Sequence, residues 1–392
     1  MMTDNQQFLP VNWMDGMKIN KNHFLSIQNY AQQMSTYMGQ VHLTEINFGL
    51  ISNRQNGNPL KINFFVDNHK MIKVKLEECQ AITLGGERIN VSPLIAHALN
   101  LEAEYNLKLD EDELRNGQEK ILLVNLNVNP HNQIPFGDPD PEENPPRYPY
   151  LVPEYHLSIV PETRNKSGYG KTQLTVGKIV CNSVETYMDE TYIPACTTVE
   201  SHPKLLELHQ FILKFLGQLE IHTVQIIQKI HSKNQNNLLS MMILDLCNKM
   251  SDYLAQTINS ARQISPFEPP AMMLDKVIGL GRIMKNYIEA KSGTGKEELL
   301  NYFAEWCSIQ QGDFDLLFSQ LINTDYDHID MYNLIEKNIN FIRTIDEIFA
   351  ALSRLDYIGR KKETGIFVKE RQETEIGIMD SKPKSRKSFL ED

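Results

Sequence analysis

The stretch Ser292-Gly293-Thr294-Gly295-Lys296 is the nearest this chain comes to a catalytic motif. A phosphate-binding loop needs a glycine five positions before the last one and a hydroxyl after the lysine, so that backbone N–H groups cradle phosphate and the hydroxyl reaches a metal. Ala290 and Glu297 stand at those positions, and the preceding segment reads as helix, so we expect an inter-helix turn. Paired carboxylate–histidine ligands in a helical bundle would hold two irons. No Glu-x-x-His occurs, nor His-Glu-x-x-His, nor Gly-x-Ser-x-Gly. His209 and His222 fall within one helical pattern and read as core or interface histidines. Asp138, Asp140, Glu142 and Glu143 share a segment with Pro139, Pro141, Pro145 and Pro146 and lack the glycine and carboxylate spacing of a calcium loop. Five scattered cysteines, Cys79, Cys181, Cys196, Cys247 and Cys307, form no C-x-x-C and read as buried thiols in a reducing cytoplasm. We expect no catalytic, cofactor-binding or metal-ligating residue, and therefore no enzyme.

The elements that would have to position such groups fall into two halves. The 392 residues allow two or three domains. A net charge of -11 leaves no excess of Lys and Arg for nucleic acid. The most apolar run, Leu238 to Cys247, is cut by Asp245 and is too short to cross a membrane. In the first half Leu122, Val124, Leu126 and Val128 alternate with Leu123, Asn125, Asn127 and Asn129, which predicts a strand with an apolar and an amide-bearing face. Tyr105, Leu107 and Leu109, then Tyr155, Leu157 and Ile159, alternate likewise, and Asn56-Gly57 and Gly85-Gly86 mark turns. The prolines from Pro130 to Pro153 predict an extended surface loop. One early helix is expected over residues 22–41.

From Ser201-His202-Pro203 the period changes, with Ser201 as expected N-cap. Leu205, Leu208, Ile212, Phe215, Leu219, His222 and Ile226 recur at steps of three and four, a bundle or oligomer seam. Further helices are expected over residues 237–261, 271–290, 296–309, 313–322 and 331–355. The fold class expected is α+β and multidomain. It divides into a β-sandwich shell over residues 1–200, a helical-bundle neck over 201–355, and a tail over 356–392 in which Ile366-Phe367-Val368 and Ile376 to Met379 could dock.

One segment remains without a chemical explanation. Val11, Trp13, Asp15-Gly16-Met17, then His23-Phe24 opening the first helix, resemble the start of the TssK family of type VI secretion baseplate subunits. That family begins Val-x-Trp-x-Glu-Gly-Met and continues to Pro-Gln-His-Phe-Gln; Asp15 stands here for Glu, and Lys21-Asn22 for Pro-Gln. Phe48-Gly49-Leu50 resembles the family's Trp-Gly-Leu, and Tyr192-Ile193-Pro194-Ala195-Cys196 its Tyr-Ile-Pro-Pro-Cys. The resemblance implies a homotrimer whose shell engages the TssF and TssG wedge subunits. It implies a cytoplasmic protein held at the inner face of the envelope and linked to a membrane complex. The family's separate C-terminal head does not fit the 37 residues after Leu355, so the head is expected to be missing or replaced by the tail. Trp13, Asp15, Gly16, His23, Phe24, Tyr192 and Pro194 are the shell residues singled out, either as framework or as partner contacts. A phage-type tail adaptor or receptor-binding protein, and a bundle enzyme with a cofactor, stay open as rival readings.

Overall fold

The computed structural model describes residues 8–52, 57–107, 119–162, 170–291 and 293–359. Asn56, Leu109, Ser292 and both tail segments expected to dock lie outside these residues. Residues up to Gly359 form one compact unit.

The first half begins with helix α1 (Lys21–His42) and then builds two antiparallel sheets. In the first sheet the long strand β3 (Met71–Ile82) pairs with β1 (Gly49–Leu50), β2 (Leu60–Val66), β4 (Arg88–Val91) and β5 (Glu102–Asn106). Ile72, Val74 and Leu76 of β3 are buried, whereas Lys73 and Lys75 pair across the outer face with Glu104 at 2.7 Å and Glu102 at 2.9 Å. The register slips where Lys61 and Ile62 of β2 face Glu78 and Leu76, so the inward set resumes at Cys79 and Ala81. An extra residue of this kind is a β-bulge, and it reverses which side chains face the core. A short helix, α2 (Pro93–Ala98), capped by Ser92, follows β4.

The second sheet has the order β7-β6-β8-β9, with β6 (Lys120–Phe136), β7 (Tyr150–Pro161), β8 (Gln173–Cys181) and β9 (Thr186–Met188). The alternation expected in β6 is present, with Leu122, Val124, Leu126 and Val128 buried. Its amide face is partly covered as well. Asn125 is buried and its carboxamide oxygen accepts a 2.8 Å hydrogen bond from Thr175 Oγ1.

The proline-rich segment corrects the expectation of a loop. Pro130 and Pro135 lie within β6 and Pro153 within β7, and the hairpin continues to the pair Phe136 and Tyr150. β8 pairs with β6 as far as Asn127, and Val128 N–H still donates to the Thr172 carbonyl at 3.0 Å, so from Pro130 on that side of β6 needs no donor. Proline is tolerated at such free edges and at bulges, and the register shifts between Asn129 and Gln133. Only residues 137–149 form the connection, where Asp140 Oδ1 accepts from Glu142 N–H and Arg147 forks onto Glu143 at 2.6 and 2.8 Å.

The second half is helical: α3 (Pro203–Ser232), α4 (Leu238–Gln263), α5 (Pro270–Glu289), α6 (Thr294–Ala304), α7 (Asp313–Asn323) and α8 (Tyr332–Arg354). The N-cap of α3 is His202, not Ser201. The Ser201 hydroxyl is already engaged by the short turn before it, where it meets Thr198 N at 3.3 Å, so the His202 ring takes Lys204 N–H instead. Asn237 caps α4 through a 2.7 Å bond from Ser240 N–H. Lys229 near the end of α3 donates to the terminal carbonyls of α8, Ser353 and Leu355, placing a cation where the helix dipole is negative. One apolar cluster runs through both sheets and the bundle, with Leu246, Leu254, Leu280, Phe341 and Phe349 at the helical end.

Candidate interaction surfaces

Two motifs far apart in sequence meet where sheets and helices join. Leu50 N–H donates to the Ala195 carbonyl at 2.7 Å, and Thr197 N–H returns a 2.9 Å bond to the Leu50 carbonyl. Gly49 has φ +109°, and a Cβ there would collide with the Ala195 backbone, so the close approach requires glycine. Tyr192, Ile193 and Pro194 are buried behind this contact, and Cys196 Sγ lies 3.1 Å from the Pro194 carbonyl. On the other side, His328 reaches the Phe48 carbonyl through Nε2 at 2.8 Å, and the Tyr326 hydroxyl meets His328 Nδ1 at 2.7 Å. Burial pushes the His328 pKa down, opposed by the Phe48 carbonyl and Asp327. Lys178 of β8 and Asp330 close the same junction with a 2.9 Å ion pair.

The opening segment lies on the outside. Asp15-Gly16 form the turn expected, with Gly16 at φ +78° and Met17 N–H bonded to the Met14 carbonyl at 3.2 Å. Trp13 is 47% exposed, and its ring packs 5.9 Å from that of His23. Asn20 caps α1, taking Asn22 N–H at 2.9 Å, and His23 Nδ1 accepts Asn20 N–H at 3.2 Å. His23 thus stands where a capping box usually carries Glu or Gln. Phe24 is 60% exposed.

α1 as a whole is turned with its polar side inward. No residue of the helix is fully buried. Gln32 donates to the Pro130 carbonyl, Thr36 meets Glu87, and Gln40 donates to the Gly85 carbonyl, so a glutamine-bearing face docks on the sheets. Burial raises the Glu87 pKa there, against His131 and Thr36. The apolar side chains Phe24, Ile27, Met34, Met38 and Val41 face outward. A surface helix ordinarily does the reverse. The spacing of these residues is present in the sequence, but period alone does not say which face meets the protein.

The seam residues of α3 behave otherwise. Leu205, Leu208, Ile212, Phe215, Leu219 and Ile226 are all buried within the chain against the other helices. His222 sits half-buried at the edge of this seam, its Nδ1 without a hydrogen-bond partner. His209 lies deeper, with Nε2 2.8 Å from the Ala261 carbonyl. A second line on α3 is open to solvent, with Leu206, Ile221 and Val224 exposed and Gly217 between them. A Cβ on Gly217 would meet nothing within 4 Å.

The groups considered for chemistry are dispersed. Gly293 to Lys296 open α6, and Lys296 pairs with Asp315 of α7 at 3.2 Å. Among the described residues no three His, Cys, Asp or Glu side chains cluster as metal ligands, and no helix is long and apolar enough to cross a membrane. Cys79, Cys181, Cys196 and Cys247 are buried and Cys307 half-buried. Burial pushes the Cys79 thiol up to about 12, with Glu78 adding to the effect, which leaves it a poor nucleophile at neutral pH.

No family profile matches the sequence, and no curated protein does. Solved structures do. A crystal structure of TssK superimposes with a TM-score of 0.50 at 13% identity, covering 86% of this chain and 69% of that one. A chain of the baseplate complex from the type VI secretion system superimposes with a TM-score of 0.51 at 10% identity and the same coverage. With its two sheets, the long helices behind them and the motifs that meet at Gly49 and Ala195, this chain has a TssK-like fold.

Proposed function

We propose that this protein is a non-enzymatic baseplate subunit of a type VI-like secretion machine. In this reading it is a homotrimeric adaptor that holds TssF- and TssG-type wedge subunits and links them to a membrane-side complex. The likeness to a chain of a type VI baseplate complex carries the reading. It is supported by the order of the Trp13, Phe48 and Tyr192 motifs. The outward apolar faces of α1 and α3 also support it, because a chain that works alone rarely leaves two helical stripes in water. The shell over residues 1–200 would face the wedge and the neck over 201–355 would hold the copies together, with work at the membrane side falling to residues after 355, to the helices of residues 296–323 or to different partners. Three linked copies raise effective concentration, so no single contact has to be tight.

The test is light scattering on the purified chain, followed by co-purification with TssF and TssG subunits expressed in the same cells. A trimeric mass and capture of the wedge subunits are expected. A monomer that captures neither would overturn the proposal.

A further inference from the structure

The outward face of α1 has a finer order than exposure alone. Phe24, Ile27, Ala31, Met34, Met38 and Val41 are spaced three, four, three, four and three apart, and all six are exposed. These are consecutive a and d positions of a heptad. In that frame Gln32, Thr36 and Gln40, which hold the helix to its own sheets, fall at positions b, f and c. The helix is therefore docked by its back, with a coiled-coil seam pointing into solvent. The positions flanking the seam, His23, Gln28, Tyr30, Ser35, Tyr37 and His42, carry no carboxylate, lysine or arginine, and Gln28 donates to Gln133 of β6 at 3.3 Å.

We infer that α1 pairs in parallel and in register with α1 of the other copies, forming a short coiled coil on the three-fold axis beside the shells. This rests on the trimeric reading above. Strict three-four spacing is the geometry for another helix supercoiling alongside, and Tyr30 and Tyr37 at successive g positions widen the stripe on one side. Flanks without carboxylate, lysine or arginine favour a second copy. Identical helices in register bring like residues together, and charges at the flanks would repel, while a foreign helix is ordinarily selected by complementary charges there. A seam of under three heptads is marginal alone, so the docked backs of the helices and the α3 line must share the association. Trp13, packed on His23, then caps the N-terminal end of the seam.

The experiment places single cysteines at the seam, Met34→Cys and Met38→Cys, with Leu25→Cys as an exposed control off the seam, in the full chain. Each is treated with a short bis-maleimide after circular dichroism and light scattering show an unchanged fold and mass, and the wild-type chain serves as blank. Cross-linked chains from both seam variants, in about tenfold or greater excess over Leu25→Cys, are expected because the axis raises local concentration. A trimeric protein whose seam cysteines give no more product than the control would overturn the α1 coiled coil and leave the trimer standing. A monomeric wild-type chain would overturn both. Cross-links that join α1 to co-expressed TssF or TssG in place of a second copy would also overturn it.

Discussion

α1 and α3 are both long helices with apolar residues at steps of three and four, and the chain uses them in opposite ways. α3 turns Leu205, Ile212, Phe215 and Leu219 inward, where α4 and α8 cover them. α1 turns Gln32 and Gln40 inward and leaves Phe24, Met38 and Val41 in water. Periodicity therefore identifies a face, while the partner for that face is set by tertiary structure. α3 finds its partners within the chain, while the contacts that α1 makes there through Gln32, Thr36 and Gln40 are polar.

This contrast has its greatest consequence in α3. Leu219 is fully buried, and Leu219→Ala removes side-chain contacts and leaves a cavity, so the chain should lose about 2–5 kcal/mol of stability. Urea denaturation followed by circular dichroism measures it. A loss of a few tenths would mean that the bundle repacks freely and that the α3 seam is no more committed than that of α1.

The second effect lies at the start of α3 and depends on pH. His202 accepts Lys204 N–H at 3.3 Å, which only the neutral ring can do. Burial, with Lys204 adding to it, lowers its pKa to about 4, against 6.5 in the unfolded chain. Between those values the unfolded state binds more protons, so stability is full above pH 6.5 and falls as pH drops towards 4, by at most about 3 kcal/mol. His202→Asn keeps an acceptor and removes the titration, so its stability should change less across this window. Parallel pH profiles of the two proteins check it, and coincident profiles would show that the cap does not titrate as described.

Much of the bundle was legible in the sequence because in α3, α4 and α8 the apolar period coincides with what the chain buries. The long β6–β7 hairpin was not, because Pro130, Pro135 and Pro153 read as loop residues until the free edge beyond Val128 is known. The sequence points to Ser201 as the cap of α3, one residue before His202, because serine is the better capping type and only the Thr198 turn shows its hydroxyl to be in use. The Trp13 and His23 segment was legible as a motif, but its exposed position and the outward seam behind it depend on Gln32, Thr36 and Gln40 meeting the sheets.

A smaller effect is expected at the start of α1. Asn20→Ala removes the cap that takes Asn22 N–H, at a cost of roughly 0.5–1 kcal/mol to the first turn. The turn is exposed, so the loss should appear as faster hydrogen exchange in residues 21–24 with little change in global unfolding. Global destabilisation would mean that α1 is tied into the core more firmly than its exposed face indicates.

The least change in the single chain comes from the variant that best separates the two helices. Met38→Gln replaces an exposed side chain on α1, so at protein concentrations too low for association its unfolding free energy should stay within about 0.5 kcal/mol of wild type, against several for Leu219→Ala. Association changes this. A chain stabilised by its copies unfolds at a temperature that rises with concentration, because mass action favours the assembled state. If the α1 seam is part of the assembly, Met38→Gln should lower the unfolding temperature at high concentration and weaken its dependence on concentration, while Leu25→Gln should not. Equal behaviour of the two variants at every concentration would mean that the outward stripe of α1 contributes nothing to association. The contrast with α3 would then be one between a buried seam and an idle one.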